Sequence, residues 1–138
     1  MLHGRCYCGV TTLVADSAPE TVTYCHCDDC RRLTRAPVAA FAAFAAGTVS
    51  IVPDPGLTLV APGVMRRFCP ACGSALTAKF DYLPEQVYVP VGIMDTASEL
   101  VPVMHAHAEN CLSWLRLDDE LPRSQGSARQ DLHAGHGT

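Results

Sequence analysis

Three thiols fall within six residues at Cys25-His26-Cys27-Asp28-Asp29-Cys30, and two arginines, Arg31 and Arg32, follow at once. Two further groups flank this stretch in the chain: Cys6-Tyr7-Cys8-Gly9 and Cys69-Pro70-Ala71-Cys72-Gly73. Thiolates at C-x-C and C-x-x-C spacing suit a metal ion such as zinc, because one or two intervening residues let a tight turn bring both sulfurs to one centre. Seven of the eight cysteines lie in such groups, which argues against eight unrelated buried thiols. A disulfide framework belongs to secreted domains, and nothing in the chain signals secretion. A redox role for Cys69 and Cys72 would want a βαβ setting, which the surrounding sequence lacks.

Structural zinc takes four ligands in a tetrahedron, and the C-x-x-C-G segment supplies two of them, with a following glycine free to take positive φ. Cys6 and Cys8, themselves followed by Gly9, are the natural second pair. Cys6, Cys8, Cys69 and Cys72 are therefore expected to close one structural site. Structural zinc is worth about 10–16 kcal/mol in small metal-dependent domains, against a net stability of about 5–15 kcal/mol, so this site should decide whether the domain folds. Cys25, Cys27 and Cys30 offer three thiolates, and three protein ligands with an open fourth position is the arrangement of catalytic zinc. His26, His105, His107 and Cys111 are the candidates that could close it. Cys111, the only thiol outside a group, reads as a small hydrophobe near the site. Arg31 and Arg32, with Arg66 and Arg67 just before Cys69, could receive substrate carboxylates; equally, they could balance the negative charge of a zinc tetrathiolate.

The elements that must hold these residues are short. Residues 10–14, 21–24, 57–60, 64–68, 75–80 and 87–91 read as strands, several rich in β-branched residues, with turns at Pro53-Asp54-Pro55-Gly56 and Ala61-Pro62-Gly63. Residues 38–46 read ambiguously, since the spacing of Phe41 and Phe44 and the alanines would also fit a helix; they are expected to pair with residues 47–52 as a hairpin with Gly47 at or near the turn, and Phe41 and Phe44 to enter the core. Asp28 or Asp29 should cap a short helix through Arg31-Arg32-Leu33 that Pro37 ends. Residues 102–107 are expected to form the last long strand. The fold class is thus mostly β with little helix, one domain over residues 1–122. The polar, glycine-containing stretch 123–138, with His133 and His136, is expected to be a disordered tail.

With 138 residues, 49% hydrophobic content and 17% charged, the chain suits a single modest core. Its net charge of −4 disfavours non-specific nucleic-acid binding, which needs a positive field. The longest apolar run, residues 38–46, is too short to span a bilayer, and no hydrophobic signal region precedes Cys6. A soluble, cytoplasmic protein with no nucleic-acid or membrane partner is expected.

The motifs together carry a resemblance. Gly4-x-Cys6-x-Cys8-Gly9, Cys25-His26-Cys27-x-x-Cys30-Arg31-Arg32-Leu33-Thr34 and Phe68-Cys69-x-x-Cys72-Gly73-Ser74 resemble the glutathione-dependent formaldehyde-activating enzyme family, which includes relatives of centromere protein V. Val91-Gly92-x-Met94-Asp95, and the stretch from His105 through Trp114 to Leu121-Pro122, extend the likeness over residues 4–122. The resemblance implies a zinc-binding β-tent fold of short antiparallel strands. It implies a structural zinc on Cys6, Cys8, Cys69 and Cys72, and a catalytic, more labile zinc on Cys25, Cys27 and Cys30. The implied activity is carbon–sulfur bond chemistry: glutathione adds to formaldehyde to give S-(hydroxymethyl)glutathione, with Arg31 and Arg32 as glutathione contacts. A non-catalytic zinc scaffold for a partner is the competing reading, and homo-oligomerisation is left open. Two positions depart from the family pattern: Arg35 stands where a small residue is usual, and Cys111 where a polar one is common.

Overall fold

The computed structural model describes residues 1–127. In chain order its elements are strands β1 (Leu2–Arg5), β2 (Thr12–Ala15) and β3 (Thr21–Cys25), helix α1 (Asp28–Thr34), and strands β4 (Ala39–Ala45), β5 (Val49–Val52), β6 (Thr58–Ala61), β7 (Val64–Phe68), β8 (Ala75–Phe80), β9 (Gln86–Pro90) and β10 (His105–Ala106). Three single turns of 3-10 helix follow β9 and β10. The chain is mostly β, as expected, with α1 its one α-helix among the described residues. It divides into two compact units interleaved in sequence: residues 1–21 with 41–101, and residues 22–40 with the C-terminal part from residue 102.

The first unit holds an antiparallel three-stranded sheet in the order β1-β2-β5, with Gly4 opposite Leu13 and Leu13 opposite Ile51. It also holds the antiparallel run β4-β9-β8-β7-β6. Leu13, Phe44, Leu76 and Val89 are fully buried and Phe41 nearly so. Phe41 and Phe44 differ in strand parity and would face opposite sides, yet both are buried because β4 is covered on both faces. An alanine-rich strand covered on two sides has no alternation to show, which is why residues 38–46 read ambiguously as sequence.

The expected hairpin between residues 38–46 and 47–52 does not form. Both strands exist and Gly47 makes the turn at φ 86°, but β4 pairs with β9 and β5 with β2, so the chain passes from one sheet to the other. The polar tripeptide Ala46-Gly47-Thr48 specifies a reversal without specifying a partner; the partner is chosen by which apolar faces must be covered. Gly4 has a separate duty. A Cβ there would lie 2.8 Å from the Ile93 carbonyl oxygen and 2.9 Å from the Met94 sulfur. That close approach lets the strand before Cys6 bridge to Met94 and lets Asp95 N–H bond the His3 carbonyl at 2.8 Å.

In the second unit β10 runs parallel to β3, placing His105 beside Tyr24 and Ala106 beside Cys25. The long last strand expected over residues 102–107 shrinks to these two residues. Pro102 has no N–H to give, and His107 takes a left-handed conformation at φ 52°, ending the extension. Of the stretch expected to form the tail, residues 123–127 carry described structure: Arg123 bridges to His105 and Ser124 is buried. His133 and His136 lie outside the described residues.

Candidate metal centres

In the first unit the thiols of Cys6, Cys8, Cys69 and Cys72 come within 4.8 Å of one another. Two turns build this cluster. Gly9 and Gly73 take φ of 82° and 78°, conformations other residues adopt only at a cost, and each closes the loop around its pair. Gly9 N–H bonds the Cys6 carbonyl at 3.1 Å and Gly73 N–H the Cys69 carbonyl at 2.8 Å. The sulfurs of Cys6 and Cys8 are 3.6 Å apart and those of Cys8 and Cys69 3.8 Å. A tetrahedral zinc with bonds near 2.3 Å would space its sulfurs by about 3.8 Å, so the donor set fits the ion. Cys6 and Cys69 are buried with Leu76, against Ile51 and Ile93. Thr11 N–H donates to the Cys6 sulfur at 3.3 Å, and the Ser74 hydroxyl lies 3.2 Å from the Cys72 sulfur. The Ser74 hydroxyl and backbone N–H groups favour the charged form, bringing the Cys72 thiol down to about 5.

In the second unit the thiols of Cys25, Cys27 and Cys30 also lie within 4.8 Å of one another. Cys25 ends β3, Cys27 precedes α1 and Cys30 lies in its first turn. The helix is capped by a cysteine and not by Asp28 or Asp29: the Cys27 sulfur accepts the Cys30 N–H at 3.2 Å. That bond satisfies one of the free N–H groups at the helix start and aims the sulfur at its neighbours. The Cys25 thiol donates to the Cys27 sulfur at 3.4 Å. Hydrogen bonds from the Cys25 and Cys30 thiols hold Cys27 as a thiolate, at about 2, and the same sharing pushes Cys25 up to about 12 and raises Cys30. A trio that gathers one negative charge among three sulfurs, two of them buried, is a donor set that fits a zinc ion.

No fourth donor joins these three sulfurs among the described residues. His26, the nearest candidate in sequence, is buried and turned to another partner: its Nε2 lies 2.8 Å from His105 Nδ1. His105 Nε2 in turn lies 2.9 Å from the Asp119 carboxylate, which also accepts from Arg123 at 2.7 Å and from Leu121 N–H at 3.0 Å. Burial opposes the Asp119 charge, but the bonds from His105, Leu121 and Arg123 outweigh it and hold the carboxyl at about 2. Burial, then His105 and Arg123, press His26 towards its neutral form. His107 sits 3.7 Å from Glu109. Cys111 is exposed, not tucked into apolar surroundings, and lines a cavity of about 240 Å³ with His26, His105, Leu115, Arg116 and Arg123. The sequence reading considered His26 and His105 only as ligands and passed over Asp119 altogether, since residues 14 positions apart share no motif.

The arginines are largely committed. Arg31 and Arg32 both grip Asp28, Arg32 at 2.9 Å; Arg32 is largely exposed, whereas Arg31 is less so and its Nε is buried. Arg66 is buried with its guanidinium 5.7 Å from the Phe80 ring centre, and Arg67 pairs with Asp54 at 3.0 Å. Arg35 closes α1 in the left-handed conformation at φ 58°, a position that suits glycine.

No helix among the described residues is long and apolar enough to cross a membrane. A crystal structure of a Rhodobacter sphaeroides protein shares the fold at a TM-score of 0.55 and 20% identity, covering 88% of this chain and 99% of that one. No curated protein sequence matches the chain significantly. The family model for the glutathione-dependent formaldehyde-activating enzyme matches residues 1–110. With most of its length matched, and both cysteine clusters within the match, the chain belongs to the glutathione-dependent formaldehyde-activating enzyme family.

Proposed function

We propose that the protein is a zinc-dependent carbon–sulfur lyase that joins and separates a thiol and a small aldehyde, with glutathione or a similar anionic thiol as substrate. The observation that carries this reading is the three-sulfur cluster without a fourth protein donor among the described residues, in a chain of this family. Four-ligand sites are closed and structural, whereas three-ligand sites admit a further ligand. In the forward direction the thiol sulfur forms a bond to the aldehyde carbon, the carbonyl π bond breaks, and the thiol proton ends on the former carbonyl oxygen. A bound zinc would lower the pKa of a coordinated thiol and polarise a nearby carbonyl. Cys25, Cys27 and Cys30 would hold the ion. Cys27, drawn to the thiolate form, supplies the first charge. Arg31 and Arg32, each with donors beyond those given to Asp28, take the carboxylates of the thiol substrate. The four-thiol cluster would hold the structural zinc. The protein acts in the cytoplasm, without nucleic acid.

The experiment is a metal count on native protein beside a carbon-13 formaldehyde and glutathione incubation followed by NMR. Two zincs per chain and faster exchange between free and thiol-bound formaldehyde are expected. Two zincs that no thiol or aldehyde perturbs after cobalt substitution, with exchange at the uncatalysed rate, would favour a non-catalytic scaffold.

A further inference from the structure

We propose that Asp119, acting through His105, sets the tautomer and orientation of His26 and is thereby a positioning residue for the three-thiol loop. The inference rests on the reading of Cys25, Cys27 and Cys30 as a metal centre. It concerns a hydrogen-bonded chain that neither the cysteine motif nor the activity requires.

Proton accounting along the chain leaves one arrangement for neutral rings. Asp119 accepts from Leu121 N–H and from Arg123, so it is a carboxylate, and an acceptor only. His105 Nε2, 3.1 and 2.9 Å from its two oxygens, must carry the hydrogen. A neutral imidazole has one hydrogen, so His105 Nδ1 is bare and accepts. The atom facing it at 2.8 Å, His26 Nε2, must then be the donor. That leaves His26 Nδ1 bare; the atom is buried and finds no partner among the described residues. A carboxylate thus decides, two residues away, which nitrogen of His26 is protonated.

The same contacts fix the loop itself. Tyr24 and His26 both stack on His105, with ring centres 4.7 and 5.0 Å away at 22° and 21°. Tyr24 N–H bonds the Met104 carbonyl at 2.9 Å and His26 N–H the Ala106 carbonyl at 3.1 Å. Cys25 lies between these two anchored residues and Cys27 follows directly. A shift of His105 would therefore move the peptide carrying two of the three sulfurs. His105 is itself held on its other side, its N–H bonding the Pro122 carbonyl and its carbonyl receiving Ser124 N–H. The segment around Asp119 is in this way keyed to the thiol loop through one buried imidazole.

Asp119→Asn tests this directly. Leu121 N–H and Arg123 both point at one carboxylate oxygen, so the amide oxygen should take that place and turn its NH2 towards His105. His105 Nε2 lies nearer the oxygen that becomes the NH2, at 2.9 against 3.1 Å, so its hydrogen should be displaced and both rings are expected to flip to the Nδ1–H form. Nitrogen-15 NMR of the holoprotein should show Nε2–H at both His26 and His105 in the wild type and Nδ1–H at both in Asp119→Asn. With the four-thiol site loaded with zinc, cobalt titration of the three-thiol site should show about a tenfold loss of affinity. Asp119→Glu keeps a carboxylate one methylene further out; it should retain the wild-type tautomers with a smaller loss, and it serves if Asp119→Asn does not fold. Nδ1–H on His26 in the wild type would overturn the proposal, as would wild-type cobalt affinity in both variants. Absence of thiol–aldehyde exchange with cobalt binding and tautomers as expected would remove the proposed activity and leave this inference standing. A three-thiol loop that takes up no cobalt would remove both.

Discussion

The two cysteine clusters use the same atoms but are supported in opposite ways. The four-thiol cluster is made by two glycine-closed turns, and what surrounds it is apolar: Leu76, Ile51 and Ile93, with Ser74 and backbone N–H groups serving the sulfurs. The three-thiol cluster is made where a strand ends and a helix begins, and its support is polar: the buried His26 and His105 and, behind them, the partly exposed Asp119. A closed site needs only to be reached by its ligands, and hydrophobic burial with tight turns achieves that. A site with an open position has one constraint fewer on its sulfurs, so the loop must be held from outside. The buried imidazole pair provides such a hold at a cost, because polar groups out of water need partners, and His26 Nδ1 has none among the described residues.

The contrast can be broken most decisively at the first cluster. Cys72→Ser should remove much of the folded population, since about 10 kcal/mol or more of metal binding is folding energy there; circular dichroism and thermal unfolding read this, and a native melt would show that the cluster is dispensable. Next in size is the second cluster. Cys25→Ser or Cys30→Ser should leave the native spectrum, lose one zinc by metal analysis, and lower exchange activity by more than the roughly 10–100-fold that outer partners of a metal cost. If these variants unfold as Cys72→Ser does, the two clusters are alike and both are structural. A mild chelator sharpens the same point without mutation: three ligands should release their ion before four, leaving about one zinc per chain and a folded protein.

Smaller effects probe the surroundings of the second cluster. Arg31→Ala should raise KM for glutathione by about two- to fivefold with kcat nearly unchanged, the size expected of about 0.5–1 kcal/mol from a partly exposed charge, and should not alter KM for a neutral thiol. Equal effects on both thiols would remove the arginine from substrate binding. Arg35→Gly should stabilise the protein by about 1 kcal/mol in urea unfolding, since it relieves a left-handed residue at the end of α1. No gain would mean that the Arg35 side chain makes up the backbone cost elsewhere.

Reading the sequence worked where the signal was local. The C-x-C-G and C-x-x-C-G groups are turns whose glycines need positive φ, and Gly9 and Gly73 adopt it. Helix α1 lay where its charges and Pro37 suggested, although its cap was misassigned because a thiol was not weighed against Asp28 and Asp29. The reading failed where a strand had to choose a partner. Residues 38–46 and 49–52 are strands joined by a turn, but nothing in those residues says that β5 belongs with β2. It failed again at residues 102–107, whose extended character is cut short by proline and by the left-handed His107.

The sequence by itself determined the chemistry: seven thiols in spaced groups, their division into four and three, and a mostly β chain of short strands. These follow from residue type and neighbour distance along the chain, which covalent geometry converts into proximity with little freedom. Only the tertiary structure decided which side chains stand behind the sulfurs. His26 is covalently bound between two cysteines of the three-thiol cluster, yet its ring turns to His105, 79 positions away, and through it to Asp119. That choice depends on parallel pairing of β3 with β10 and on burial, which favour a partner for the ring wherever the fold brings one.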